Sequence, residues 1–434
     1  MERVHTVVVG AGFGGLSAAL HLARAGHRVV VCEALTYAGG CASTYSKGEA
    51  RYEAGATLLS GFGPGQWMRG WLDAFDLDVT VDPVEPAFTF HGPAVVPVTS
   101  DRRAFADALA QAGGADPEPL RRWFRYQERI GDVLWGVLDD PSLLPPLSVS
   151  SLIRHAVRLP SYLRLLPLMN RSLESVLQRH GVAEVPALRA FLDAACQITV
   201  QVPAAEAEAT FAIGAVDNFF RGVAHVHGGV GELARACCDA VERMGGEVRF
   251  ANRVKGLTRE HGGWRVKTRQ GEVWADNVVA NLLPQDLMAL ADVTTRRLER
   301  MSARVSGGWG AAMLYMLVRD EGLPAHAVHH ELVADASRPL PGGNHVLVSI
   351  TARDPSRAPA GLRAVSASTH VDPLSDDPAT EMASVQRTMR ETLGSKLPQL
   401  QIVHEHTASP RTFERFTRRS DGLVGGVPRR VGWG

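Results

Sequence analysis

The chain has 434 residues, and its 46 Lys plus Arg balance 46 Asp plus Glu. That length suits two or three domains, and 45% hydrophobic with 21% charged residues is a globular composition that excludes disorder. Zero net charge argues against a nucleic-acid binder held by a global basic field, and five cysteines exclude a disulfide scaffold.

Val4 to Val9 is a short β-branched run that reads as a buried parallel strand. Its apolar stretch is broken by Gly10, Gly12, Gly14 and Gly15, unlike the core of a signal peptide. No run of 18 apolar residues follows anywhere, so a cytoplasmic chain, soluble or peripheral to a membrane, is expected. Gly10-Ala11-Gly12-Phe13-Gly14-Gly15 supplies the spacing G-x-G-x-x-G; Leu16 to Ala25 reads as a helix and His27 to Cys32 as a second strand. Glu33 ends that strand, 18 residues after Gly15, close to the ~20 of a dinucleotide-binding βαβ unit. Gly10 allows the tight turn, Gly12 lets the backbone approach a pyrophosphate, and Gly15 lets the helix pack closely on the sheet. The helix N-terminus, at Phe13 and Gly14, offers free N–H groups to phosphates. Glu33 can accept from ribose hydroxyls, and its charge disfavours a 2′-phosphate.

Six residues beyond Glu33 stand Gly39-Gly40, then Cys41-Ala42-Ser43-Thr44, and further on Arg51-Tyr52-Glu53-Ala54-Gly55-Ala56. Ser151 to Asn170 mixes leucines with Arg154, His155, Arg158 and Arg164, interrupted by Pro160 and Pro167. It reads as two short helices, either a cap on a substrate domain or an interfacial membrane segment. His225-Val-His227-Gly-Gly229 opens a helix with apolar residues at 230, 233, 234, 237, 241 and 244, closed by Gly245-Gly246. Glu247 to Phe250 then reads as a strand, and Val254 follows; Trp264–Lys267 and Val273–Asn281 form a strand pair. Strands are expected over Gly307–Val318 and His345–Ile350, and a helix over Asp377–Leu393. His326, His329, His330 and Glu331 lack a partner cysteine or second acidic cluster, so they read as a surface or strand-edge group and not a metal site. His404 and His406 read as one face of a strand. Near the end come Ser409-Pro-Arg-Thr-Phe-Glu-Arg-Phe416 and Gly422-Leu-Val-Gly425-Gly426-Val-Pro428.

The segment Glu33-x5-Gly39-Gly40 is similar to flavoproteins of the glutathione reductase and amine oxidase type. Together with Gly55 to Gly65, the 225–281 patch and the 409–428 patch, it resembles the phytoene desaturase and carotenoid isomerase family, most of all its carotenoid C-3′,4′ desaturases. The resemblance runs through most of the chain and is weakest between about 80 and 210. It implies an α/β fold: a Rossmann-like FAD-binding domain (1–80, 215–290 and 405–434) with a second α+β substrate domain (81–214 and 291–404). It implies FAD as cofactor, held at Gly10, Gly12, Phe13, Gly14, Gly15, Glu33, Gly39, Gly40, Cys41, Ala56 and Val254, with Val254 serving the adenosine half. Many relatives carry a basic residue where Cys41 stands. The family's later G-D strand and glycine-rich helix start are not seen after Gly425, and weaker cofactor binding is expected on that account.

The implied activity is carotenoid desaturation on an apolar polyene, with a redox-neutral cis–trans isomerase or an inactive flavoprotein relative as alternatives. An amine oxidase is disfavoured, because no aromatic cage or flavin-tethering cysteine is visible near the C-terminus. No catalytic residue is named, no nucleophile or metal motif is present, and peripheral membrane contact but no nucleic-acid partner is expected.

Overall fold

The computed structural model describes residues 2–374 and 378–432. Strand β1 (Glu2–Val9), helix α1 (Phe13–Arg24) and strand β2 (Val29–Cys32) form the expected opening unit. All four residues of β2 are buried, as a parallel strand covered on both faces requires. β1 runs parallel to β2 on one side and to Glu272–Ala280 on the other. Glu247–Arg249 extends the parallel part beyond β2, and Val254–Glu260 and Gly263–Thr268 complete a six-stranded sheet as an antiparallel meander. Alternation sorts the valines. Val8, Val29 and Val31 meet α1 and the helix Val230–Arg243, whereas Val7, Val9 and Val30 meet Val254, Leu257 and Val266.

A seven-stranded sheet makes the second layer. Its order is Ile402–Ala408, Gly310–Arg319, Leu362–Val371, His345–Ile350, Val328–Val333, Phe88–His91 and Val95–Val98. All its pairs are antiparallel except Val328–Val333 with Phe88–His91. Leu314, Met316, Val346, Val348 and Val365 pack under the helix Pro378–Lys396 through Val385, Met389 and Leu393. The expected helix start at Asp377 lies outside the described residues. The opposite face carries Ala311, Met313, His345 and Leu347 towards the glycine-rich segments. A helical lobe, including Pro117–Leu138, Pro186–Thr199 and Ala209–Asp217, covers one end with an aromatic core of Phe88, Phe105, Trp123, Phe124 and Phe191.

Three expectations change. The boundary expected at 405 cuts a strand: Glu405 to Ala408 continue the ladder on Gly310–Arg319, so hydrogen bonding joins them to the second sheet. Residues 151–170 hold one helix, Val149–Tyr162, and then turns. Pro160 sits in its last turn, where the missing N–H costs one helical bond instead of a break. His326 is exposed before the strand, as expected, but the rest of the histidine group is no surface edge. Val328–Val333 lies inside the sheet, with His329 and Glu331 buried and His330 within 3.1 Å of His91.

Candidate active site

The glycines of the first turn are explained by contact. A methyl on Gly15 would overlap the Gly10 carbonyl oxygen, so only glycine lets α1 lie this close to β1. α1 starts at Phe13 with Gly12 as an N-cap that brings no side chain, leaving its first N–H groups open to an anion. Gly14 is exposed at this end.

Gly39 and Gly40 lie against this turn. The Gly39 N–H donates to the Ala11 carbonyl at 2.9 Å, and Gly12 and Gly39 form a parallel bridge. Gly39 has φ +110°, and a Cβ there would crowd the Ala42 carbonyl, so the sequence needs glycine at this position. The two loops therefore present bare backbone side by side, a cradle that any side chain would fill. Asn281 closes one wall: its amide lies 3.1 Å from a Cβ built on Gly12 and 2.9 Å from one built on Gly14. Asn281 was visible in the sequence only as a strand end, and its place over the glycines needs the parallel pairing of β1 with Glu272–Ala280.

Glu33 is buried at the tip of β2. Its carboxylate accepts from the Ala11 N–H at 2.7 Å and the Leu35 N–H at 2.8 Å, which orients it beside the glycine turn. Asn252 N–H donates to the Glu33 carbonyl and Ala251 N–H to the Leu35 carbonyl, so the chain leading into Val254 is tied to the same strand tip. Val254 itself is buried in the core with Val9 and Cys32.

Cys41 lies in the short turn Gly40–Ala42, and its carbonyl accepts from the Ala56 N–H at 3.4 Å. Burial pushes its thiol up, with Arg419 and Thr417 opposing, so it is no ready thiolate. Arg419 thus supplies positive charge near the position where many relatives carry a basic residue. Cys41, Gly55 and Ala56 open onto a cavity of about 200 Å³ whose other walls include Ile198, Met313, Leu347 and Phe413. His345 and His370 also face it.

A larger cleft of about 710 Å³ runs from Leu35, Tyr37 and Gly40 along the Thr44–Lys47 and Ala50–Glu53 hairpin (β3 and β4). Tyr45, Tyr315 and His406 line it, with Tyr52 behind; Tyr45 Oη lies 2.9 Å from His406 Nε2. Burial raises both tyrosine hydroxyls and lowers His406 to about 4. This cluster was missed in the sequence because its members come from three segments far apart in the chain: the β3–β4 hairpin, Gly310–Arg319 and Ile402–Ala408.

The donors and clearances fit an extended dinucleotide. The glycine cradle and open helix end suit a pyrophosphate, Glu33 suits a ribose, and the Cys41–Ala56 turn continues from them to the cavity. No group of three or more metal-ligating side chains is found among the described residues.

Comparison with known proteins agrees. The family model described as flavin-containing amine oxidoreductase matches residues 13–391. Prolycopene isomerase 1 from an Oncidium hybrid cultivar is 26% identical over 455 residues, covering 99% of this chain and 76% of its own length. Phytoene dehydrogenase from Streptomyces griseus is 30% identical over 266 residues, 59% of this chain and 49% of that protein. The crystal structure of an oxidoreductase from Methanosarcina mazei superposes with a TM-score of 0.64 at 20% identity, covering 94% of this chain and 88% of that one. The chain belongs to the flavin-containing amine oxidoreductase family and is an FAD-dependent oxidoreductase.

Proposed function

We propose that the chain desaturates a long apolar polyene, a carotenoid, at the C-3′,4′ bond. The observation that carries this reading is the wall of the cavity at Ala56. Ile198, Ala311, Met313, Leu347 and Phe413 line it, and no carboxylate or guanidinium does. Those side chains suit a hydrocarbon; His345, His370, Ser368 and Thr369 add polar atoms, but no carboxylate lines the cavity to pair with an ammonium group. The similarity to proteins named prolycopene isomerase and phytoene dehydrogenase supports the same substrate class.

When bound, FAD supplies a two-electron acceptor for C–H bonds that the polyene already weakens. The protein's part is to hold the cofactor at Gly10, Gly12, Phe13, Gly14, Gly15, Glu33, Gly39 and Gly40, with Cys41 and Ala56 at the cavity and Val254 at the adenosine end. It also aligns the chain and keeps water out.

A redox-neutral cis–trans isomerase is the second reading, favoured by the 99% coverage of this chain by a prolycopene isomerase. Product mass separates the two after incubation of the flavin-loaded protein with acyclic and monocyclic carotenoids. Loss of two hydrogens supports desaturation, and an unchanged mass with a shifted spectrum supports isomerisation. No conversion by protein carrying stoichiometric FAD overturns both and favours an inactive relative.

The same reading puts the enzyme at the cytoplasmic surface of a membrane as a peripheral protein. No helix of the described residues is long and apolar enough to cross a membrane. The helix Val149–Tyr162 nevertheless exposes Val149, Leu152, Ile153 and Val157, and Leu163, Leu166 and Met169 continue the patch. Residues 149–170 include Arg154, Arg158 and Arg164 and no acid. Apolar side chains flanked by arginine suit an anionic lipid interface from which a bilayer-dissolved substrate would enter.

A further inference from the structure

The seven-stranded sheet buries a histidine–carboxylate pair that its backbone ladder does not require. His345 Nε2 lies 3.0 Å from Glu331 Oε1, with the two side chains 5% and 1% exposed. Both residues already have ladder partners, Val333 for His345 and Leu347 for Glu331. The other carboxylate oxygen of Glu331 has no hydrogen-bond partner. A carboxylate held this deep costs desolvation energy, and an unpartnered oxygen on it calls for a role beyond packing. His345 also lines the cavity that Cys41, Gly55 and Ala56 open onto.

We infer that His345 is a catalytic proton acceptor in this cavity and that Glu331 is its positioning residue. The inference rests on the polyene reading. Glu331 accepts from His345 Nε2–H and so leaves Nδ1 as the base. In desaturation, one C–H bond of the substrate breaks and its proton passes to His345 Nδ1. The electron pair of that bond forms the new C=C bond. The hydrogen on the adjacent carbon would leave as hydride, taking the electron pair of its C–H bond to the two-electron acceptor that bound FAD would supply. The substrate is oxidised by two electrons and the cofactor reduced by two. The imidazolium then stands beside Glu331, so the buried pair ends as an ion pair instead of a lone charge.

The second cavity histidine, His370, is unsuited to the role. Its Nδ1 lies 3.3 Å from Gln197 Nε2, its ring stacks on Trp309, and burial lowers it to about 4, with His345 adding to the effect. The ionisable groups around the His345–Glu331 pair are His370 and Cys196, with Asp193 beyond Cys196 on the helix Pro186–Thr199.

The test begins without turnover. In the flavin-loaded protein with ¹⁵N-labelled histidine, the His345 signals are assigned by their loss in His345→Gln. The expected wild-type state is protonated Nε2 with bare Nδ1, and Glu331→Gln abolishes that preference. An Nδ1–H tautomer in the wild type overturns the proposal. In polyene turnover, His345→Gln is expected to lose about 10²- to 10⁴-fold in kcat with KM within about twofold. Glu331→Gln, close in shape and a safeguard against misfolding, is expected to lower kcat with KM within about twofold, and Glu331→Asp to restore part of it. Turnover by His345→Gln within about threefold of wild type overturns the proposal. A wild type that holds FAD yet converts no polyene overturns the substrate reading instead, while the tautomer still decides whether His345 is set up as a base.

Discussion

Glu53 and Arg357, 304 residues apart in the chain, meet at 2.9 Å in the interior. Glu53 also accepts from Thr44 Oγ1 at 2.7 Å and from the N–H of Val230 at 3.2 Å. One carboxylate thus ties the end of β4, β3 and the start of the helix Val230–Arg243 to the loop bearing Arg357. The turn at Gly55 and Ala56 begins two residues later. Removing either partner strands a buried charge. Arg357→Met is expected to destabilise the fold by about 3–5 kcal/mol, read as a lower urea midpoint. The double variant Glu53→Leu with Arg357→Met should recover part of that loss.

The glycine cradle makes a sharper prediction about cofactor binding. Gly15→Ala and Gly39→Ala each force a methyl into backbone atoms, so the FAD Kd should rise about 10- to 100-fold. Gly256→Ala meets nothing within 4 Å and should bind as wild type. Flavin released on denaturation, measured across an FAD titration, checks all three.

Buried histidines set a stability slope with pH. Burial lowers His329 to about 3, and His330 and His370 to about 4, from an ordinary value of 6.5. The unfolded chain therefore takes up protons first as pH falls. The stability these groups contribute is complete above about 6.5 and is lost progressively down to about 3, the value of His329. Urea midpoints at pH 7.5 and at pH 5 should differ in that direction, and His329→Asn should flatten the slope. An equal slope in that variant would contradict the assignment.

The exposed face of Val149–Tyr162 predicts lipid binding. Leu152→Glu, Val157→Glu and Leu163→Glu together should weaken association with anionic vesicles by at least about 100-fold, with flavin content unchanged. Cosedimentation measures the first and absorbance the second. Undiminished binding would move the membrane contact to another surface.

Local pattern made the cofactor half readable. Val4–Val9, the glycine spacing, Glu33 and Gly39-Gly40 all fall within the first 40 residues, and each performs a task that a strand, turn and helix impose by themselves. The cavity half was not readable in this way. His345 and Ala56 reach one space, with Glu331 behind His345, only because two paired strands and a turn from a distant segment align there. Burial also reversed the reading of His329 and Glu331. The consecutive polar residues His329, His330 and Glu331 of Val328–Val333 look like an edge until Phe88–His91 and His345–Ile350 pair on either side. The boundary at 405 failed for a similar reason, since pairing on Gly310–Arg319 is decided by a ladder and not by local composition.

The parallel pairing of β1 with Glu272–Ala280 has a consequence for how the polypeptide is made. Val9 meets Ala280, so the strand that carries the glycine turn leaves the ribosome long before its neighbour exists. At about 5–20 residues per second, the interval is about 10–50 s. Throughout it β1, α1 and β2 are a nascent fragment with an open apolar edge, and the seven-stranded layer is not complete until Ala408 emerges. Cellular chaperones have their longest opportunity at these first thirty residues, and a synonymous change that slows translation before codon 280 should lower soluble yield without altering any residue of the enzyme.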